Sequence, residues 1–153
     1  MKIVVQRVAR AEVRIDGAVV GRIQHGALIL VGVSREDTRA DAEFLAGKTS
    51  RLRIFDDADG RLNRDIGQSG GDFLVVSQFT LYGDCSRGNR PSYIAAAGPE
   101  HGREGYAWFV EALRSCGHRV ETGRFQAAMQ VELVNDGPVT LVLESTGRGG
   151  LAA

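Results

Sequence analysis

Residues 2–15, KIVVQRVARAEVRI, alternate apolar and polar positions closely enough for strand structure with one wet face. Asp16-Gly17 is a hairpin turn signal, and AVVGRI (18–23) returns as its partner. His25-Gly26 then opens ALILVGV (27–33), an apolar run without alternation that predicts a strand covered on both faces. Ser34, with Asp37 three residues on, marks a helix start. Ala40, Phe44, Leu45 and Leu52 keep helical spacing through the segment that follows.

RLRIF (51–55) reads as extended, DDADG (56–60) as a turn, and RLNRDIGQSGGD (61–72) as a polar loop. FLVVSQFTLY (73–82) is the most apolar strand candidate, followed by the polar loop GDCSRGNRPS (83–92). A second helix is expected over roughly 101–116, with Tyr106, Phe109, Val110 and Leu113 on one face and Gly117 as its stop. HRVET, MQVELVN and PVTLVLES close the chain as three strands, and the tail from 146 to 153 is expected to fray. The order is two strands, then strand–helix twice, then three strands. Two helices cannot cover both faces of so much sheet. The expected fold is therefore a β-rich α/β domain over residues 1–145, in three layers (α/β/β) with the helices on one outer face.

Composition narrows the function classes. The chain has 153 residues, 43% hydrophobic and 25% charged, ordinary for a soluble domain. No apolar run reaches the length of a membrane span, and charges come too early at the start for a signal peptide. Cys85 and Cys116 lie far apart, without CxxC spacing, which suits a reducing cytoplasm and two filler thiols. Lys+Arg and Asp+Glu balance at 19 each. A protein gripping a long nucleic-acid backbone shows a basic excess, so any contact with RNA must be small or local.

Two stretches carry candidate chemistry. In 77-SQFT-80 hydroxyls sit within an apolar strand, but residues three apart face opposite ways on a regular strand. Only a bulge or a strand end at Gln78-Phe79 would bring Ser77 and Thr80 together. On these residues alone the plainer reading is that the hydroxyls satisfy backbone groups and Gln78 caps a local network. His25, His101 and His118 offer no placed base for a nucleophile, and no histidine or carboxylate set has metal-ligand spacing. DDADG begins like a calcium loop but has Gly67 where the loop needs glutamate. No phosphate-binding glycine motif stands at a strand-to-helix junction. Any enzyme here works without metal, bound cofactor or obvious side-chain base. The second stretch is 133-LVNDGPVTLVLES-145, where Gly137-Pro138 interrupts an apolar strand. It is either a plain edge-strand turn or a fixed cis element that presents two carbonyls to one side.

MKIVVQRV, LRIF (52–55), FLVVSQFTLY (73–82), RPS (90–92), ETGRF (121–125) and MQVELVNDGPVTLVLES (129–145) resemble, in this order and spacing, the D-aminoacyl-tRNA deacylases. The likeness runs over roughly residues 1–145, and SQFT with NDGPVT is specific as a pair. It implies a cytoplasmic homodimer that hydrolyses the ester between a D-amino acid and the terminal adenosine of tRNA, without a cofactor and with no call for membrane or DNA. It implies that Gly137 and Pro138 form a cis pair reaching into the partner's site, where their carbonyls hold the substrate's α-amino group and drive an L side chain into the wall. Glycine, including glycine mischarged on alanine tRNA, would also enter.

By the same resemblance Ser77, Gln78, Phe79 and Thr80 form the catalytic wall, with backbone N–H groups near Gln78-Phe79 as oxyanion donors. Met129, Val139 and Thr140 would line the pocket. Thr80 matches a residue proposed as nucleophile, but the missing base favours assistance from the tRNA's own 2′-hydroxyl. Arg87 and Arg90 are candidate phosphate contacts, in a loop where Asn89 replaces a residue often basic in such families. Two other readings compete: a general esterase or peptidase using Ser77 or Thr80, and a non-catalytic, β-rich oligomeric module that binds nucleotides or RNA ends.

Overall fold

The computed structural model describes residues 1–145 together with 150 and 151. Its spine is strand β1 (Lys2–Ile15), which pairs along one edge with β8 (Gln130–Glu144). The other edge of β1 is shared. Its first half pairs antiparallel with β3 (Gly26–Gly32), and its second half with β2 (Ala18–Ile23) through the turn at Asp16-Gly17. From β3 the sheet continues in parallel through β6 (Asp72–Ser77) to β7 (Val120–Thr122). Helices α1 (Arg39–Ser50) and α3 (Pro99–Ser115) lie on the two crossovers of this parallel part. Between α1 and β6 the chain inserts a small hairpin, β4 (Phe55–Asp56) with β5 (Leu62–Arg64), and one turn of helix, α2 (Ile66–Ser69).

Alternation along the strands builds two cores. Ala27, Ile29 and Val31 of β3 and Phe73 and Val75 of β6 face Ala42, Leu45, Phe109 and Leu113 of the helices. The residues between them, Leu28, Leu74 and Val76, face the other way and meet Val8, Ala11, Val13 and Ile23 inside the curl of the sheet. β3 and β6 are thus covered on both faces, as their unbroken apolar runs predict. Both long helices pack on one outer face, giving the expected α/β/β layering. Each fully buried Leu or Phe contributes about 1.5–3 kcal/mol by leaving water.

The sheet nearly closes on itself. β2 folds over β7 so closely that a Cβ on Gly21 would stand 2.5 Å from the Thr122 carbonyl oxygen. Glycine here answers a steric demand, since two backbones meet without room for a side chain.

Several local expectations change. α1 starts at Arg39, not at Ser34, because two Ser/Thr-x-x-Asp patterns stand back to back. Thr38 is the cap, its N–H and hydroxyl donating to the Asp41 carboxylate at 2.9 and 2.8 Å. Asp37 instead accepts the Ser34 N–H at 2.7 Å and pairs with the ammonium group of Met1. The segment 61–72 contains β5 and α2, whose own capping box joins Asp65 and Gln68. MQVELVN and PVTLVLES are one strand, β8, so the chain closes on two strands and not three. Strand β6 ends at Ser77, and residues Phe79–Tyr82 form a 3-10 turn. Of the tail from 146 to 153 only residues 150 and 151 are described, and Leu151 bridges back to Ser145.

Gly21→Ala is expected to force β2 away from β7 and lower stability by about 1–3 kcal/mol, the usual cost of overpacking. Urea unfolding measures it, and an unchanged midpoint would show that the closure has slack.

Candidate active site

The strand end at Ser77 creates the site. The Gln78 N–H is committed to the Val31 carbonyl at 2.7 Å, which fixes the point where β6 leaves the sheet. The chain then tightens into the 3-10 turn, and Leu81 N–H bonds back to the Gln78 carbonyl at 3.2 Å. The first donors of such a turn have no partner within it. Among the described residues the N–H groups of Phe79 and Thr80 find none elsewhere. They, and not the N–H of Gln78, are the unclaimed donors. The Gln78 amide bonds to the Thr80 hydroxyl, so the local network foreseen for SQFT is present.

Ser77, Gln78 and Phe79 form one wall of a cleft of about 750 Å³. The opposite wall comes from the segment before β8: Phe125, Gln126, Ala127, Met129 and Val131. Val33, Arg35 and the residues leading into α3 complete it. Phe79 is 55% exposed and meets Tyr93 edge to face at 5.1 Å between centroids, an apolar lip at the mouth.

The far wall is anchored from beneath. Phe125 packs on Tyr106, and the Arg103 guanidinium lies 4.9 Å from the Phe125 ring centre. Arg103 also donates to the Gln126 side-chain oxygen at 3.1 Å, holding a residue whose backbone is left-handed (φ 62°). Burial pushes the Tyr106 phenol up to about 12, so it stays protonated and donates to the Val75 carbonyl at 2.8 Å.

The lining has one charged residue, Arg35, and no His, Asp, Glu, Cys or Lys. His25, His101 and His118 all lie outside it. Among the described residues no three His, Cys, Asp or Glu side chains converge as a metal would require. The arrangement offers backbone donors, two hydroxyls and an apolar slot. It offers no side-chain base.

The predicted residues divide. Ser77, Gln78, Phe79 and Met129 come together in the cleft; Thr80 stands just behind, exposed, its hydroxyl bonded to Gln78. Arg87 and Arg90 stand on the exposed loop after the turn and do not line it. Gly137, Pro138, Val139 and Thr140 are elsewhere on the same chain. Thr140 accepts from the Gln6 side chain at 3.3 Å, and the Val139 carbonyl accepts from Asn135 at 3.0 Å. The Gly137-Pro138 bond is cis, and both residues are exposed.

These residues form a bulge. Gln6 of β1 faces Thr140 and Val8 faces Asn135, so the single residue Arg7 opposes all of residues 136–139. The ladder needs no N–H from Pro138 there, which is why a proline is tolerated within a 15-residue strand. Arg7, only 7% exposed, donates through Nε to the Asp136 carbonyl at 3.1 Å and through Nη1 to the Ile54 carbonyl at 3.0 Å. It also pairs with Asp56 and Asp136 at 3.3 Å each.

Arg7, Arg35, Tyr93 and Phe125 were not singled out from the sequence. Arg7 and Phe125 do fall inside the segments that carry the family resemblance, and Tyr93 directly follows RPS.

Comparison with known proteins settles the family. The D-Tyr-tRNA(Tyr) deacylase family profile matches residues 4–144. The D-aminoacyl-tRNA deacylase of Thermotoga petrophila is 54% identical over 95% of this chain and 98% of its own length. That of Symbiobacterium thermophilum is 55% identical over 95% and 96%. Among solved structures, a c-Myc DNA unwinding element binding protein superposes with a TM-score of 0.89 at 40% identity, covering 95% of this chain and 99% of that one. A probable eukaryotic D-amino acid tRNA deacylase shares the fold with a TM-score of 0.77 at 16% identity, over 92% and 97%. With its fold and its sequence over nearly the whole length in agreement, the chain belongs to the D-Tyr-tRNA(Tyr) deacylases, a family of hydrolases.

Proposed function

We propose that the protein clears D-aminoacyl-tRNA in the cytoplasm by hydrolysing the ester at the terminal adenosine, sparing L-aminoacyl-tRNA and accepting glycyl-tRNA, including that formed on alanine tRNA. The observation that carries the mechanism is the lining of the cleft, which holds no side-chain base and no carboxylate. Without a base, the ribose 2′-hydroxyl beside the ester activates the attacking water. The developing oxyanion is received by the N–H groups of Phe79 and Thr80, and the 3′-oxygen leaves with the proton. Ser77, Gln78 and Met129 position adenosine and ester. Thr80 orients Gln78. Arg87 and Arg90 serve as outer phosphate contacts.

Without a carboxylate, the substrate's α-ammonium lacks a counter-ion within the chain's own cleft. Carbonyls of Gly137 and Pro138 from a second copy would meet that need and set the chirality, with Val139 and Thr140 behind them. A second copy is supported by the outer edge of β8, unpaired among the described residues, and by exposed Val134, Leu141 and Val142. Arg7 acts as a positioning residue, because its guanidinium holds the Asp136 carbonyl next to the pair.

Three outcomes follow. D-tyrosyl-tRNA should be deacylated on the order of 100-fold faster than L-tyrosyl-tRNA, since rejection is steric; equal rates would end the chiral reading. Thr80→Ala should keep activity within about tenfold, whereas substrate ending in 2′-deoxyadenosine should lose ~10²–10⁴, the usual weight of a proton-transfer group. The reverse pattern would restore Thr80 as nucleophile. In Gly137→Ala the new Cβ would stand 2.8 Å from Val139 Cγ2 and 3.0 Å from Arg7 Nη2, at a φ of +121°. Its kcat/KM should fall at least about tenfold, equivalent to ~1.4 kcal/mol, with circular dichroism confirming the fold.

A further inference from the structure

Resting on that reading of the cleft, we propose that Arg35 binds the phosphodiester joining the terminal adenosine to the nucleotide before it. Arg35 is the one charged residue in the lining. The substrate parts that enter are an uncharged nucleoside, an uncharged ester, an α-ammonium and one phosphate link. A guanidinium repels the ammonium and gains little from the neutral groups. The phosphate is the partner of matching sign, and its oxygens suit the planar donor fork of arginine.

The placement fits. Arg35 N–H donates to the Ala95 carbonyl at 3.3 Å, Ser34 bridges Ala96, and Ala97 N–H donates to the Val33 carbonyl at 2.9 Å. The backbone at Arg35 is thereby tied to the strip leading into α3, while its side chain is exposed. Among the described residues it has no ion-pair partner, although Glu36 and Asp37 follow it directly. Asp37 is taken by the Met1 ammonium and the Ser34 N–H. Arg10, Arg14, Arg22, Arg39 and Arg119, by contrast, all have carboxylates. Arg87, Arg90 and Arg124 are also exposed and unpaired among the described residues, but they lie outside the lining.

Arg35 also borders a smaller cavity of about 380 Å³ that includes Glu36, Asp37 and Glu144. That acidic side repels a phosphate chain. It leaves the cleft side of Arg35 as the electrostatically favoured path for the strand.

The decisive pair of substrates is 3′-O-D-tyrosyl-AMP, which carries this phosphate, and 3′-O-D-tyrosyl-adenosine, which lacks it. Wild-type protein should show a KM for the phosphorylated substrate about tenfold lower, the weight of one charge-assisted hydrogen-bonded contact. Arg35→Gln should abolish that preference while kcat on both stays within about twofold. On D-tyrosyl-tRNA the same variant should raise KM and reduce the slope of log KM against log salt by ~0.7, one phosphate on a single strand. An unchanged preference in Arg35→Gln, or an equal loss of kcat on both small substrates, would overturn the assignment, the latter by placing Arg35 at the ester. Wild-type protein that cleaves neither substrate nor D-tyrosyl-tRNA would overturn the parent reading and this one with it.

Discussion

A single buried guanidinium organises the point where the two longest strands part. Taking Arg7 out of water is costly unless every donor it turns inward finds an acceptor. The structure meets this with two carbonyls, from Ile54 and Asp136, and two half-exposed carboxylates, from Asp56 and Asp136. Asn135 staples the same place from the other side, its amide donating to the Arg7 carbonyl at 2.9 Å and the Val139 carbonyl at 3.0 Å. The carbonyls at either end of the departing segment, Asp136 and Val139, thereby keep partners outside the ladder. A separate bulge a few residues on re-aims β1. Ile3 and Val5 belong to the helix-side core, whereas Val8, Ala11 and Val13 belong to the core inside the curl. Val8 faces that core by simple alternation, and the extra β1 residue between Val8 and Arg10, which oppose the consecutive β8 residues Asn135 and Val134, turns Ala11 and Val13 the same way.

The cleft uses another economy. An aminoacyl ester is already reactive, so the protein need not generate a strong nucleophile from a side chain. On the proposed mechanism fixed donors suffice, and the 3-10 turn directly after β6 leaves two N–H groups unclaimed among the described residues for that use. Ser77 can be placed accurately because β6 is held in parallel between β3 and β7, with Val76 buried immediately before it. The opposite wall lacks a sheet of its own there. It depends on the Phe125 ring lodged between Tyr106 and Arg103.

Much of this was legible in the chain. The unbroken apolar runs of β3 and β6 mark strands covered twice, and Asp16-Gly17 marks the hairpin. The end of β6 was not legible, because Phe79, Leu81 and Tyr82 continue the apolar pattern and nothing local announces a 3-10 turn. Gly137-Pro138 looked like a break between strands, since periodicity cannot reveal a bulge answered by one buried arginine on a distant strand. Arg7 did leave a trace: it follows Ile3 and Val5 in the inward register of β1, an unusual place for a charge. The cleft itself joins residues some fifty positions apart, such as Phe79 and Met129. Spacing along one sequence carries no signal for such a meeting, and only the family resemblance bridged it.

The edge of β8 presses the last point. An unpaired strand edge beside exposed apolar side chains invites association, and proteins blunt such edges with charge, proline or cover. Here Val142 is 67% exposed, while the proline that interrupts the edge sits in a bulge outside the β1 ladder. A surface of this kind is poor as a solvent face and good as a mating face. A bulge that presents backbone acceptors without lining its own chain's cleft is equally idle in isolation. One second copy laid against this region would use both features, burying the apolar edge and supplying the acceptors that a carboxylate-free cleft lacks. On that reading dimerisation and stereochemical selection are a single structural act, because the strand that holds the subunits together also carries the group that sorts the substrates.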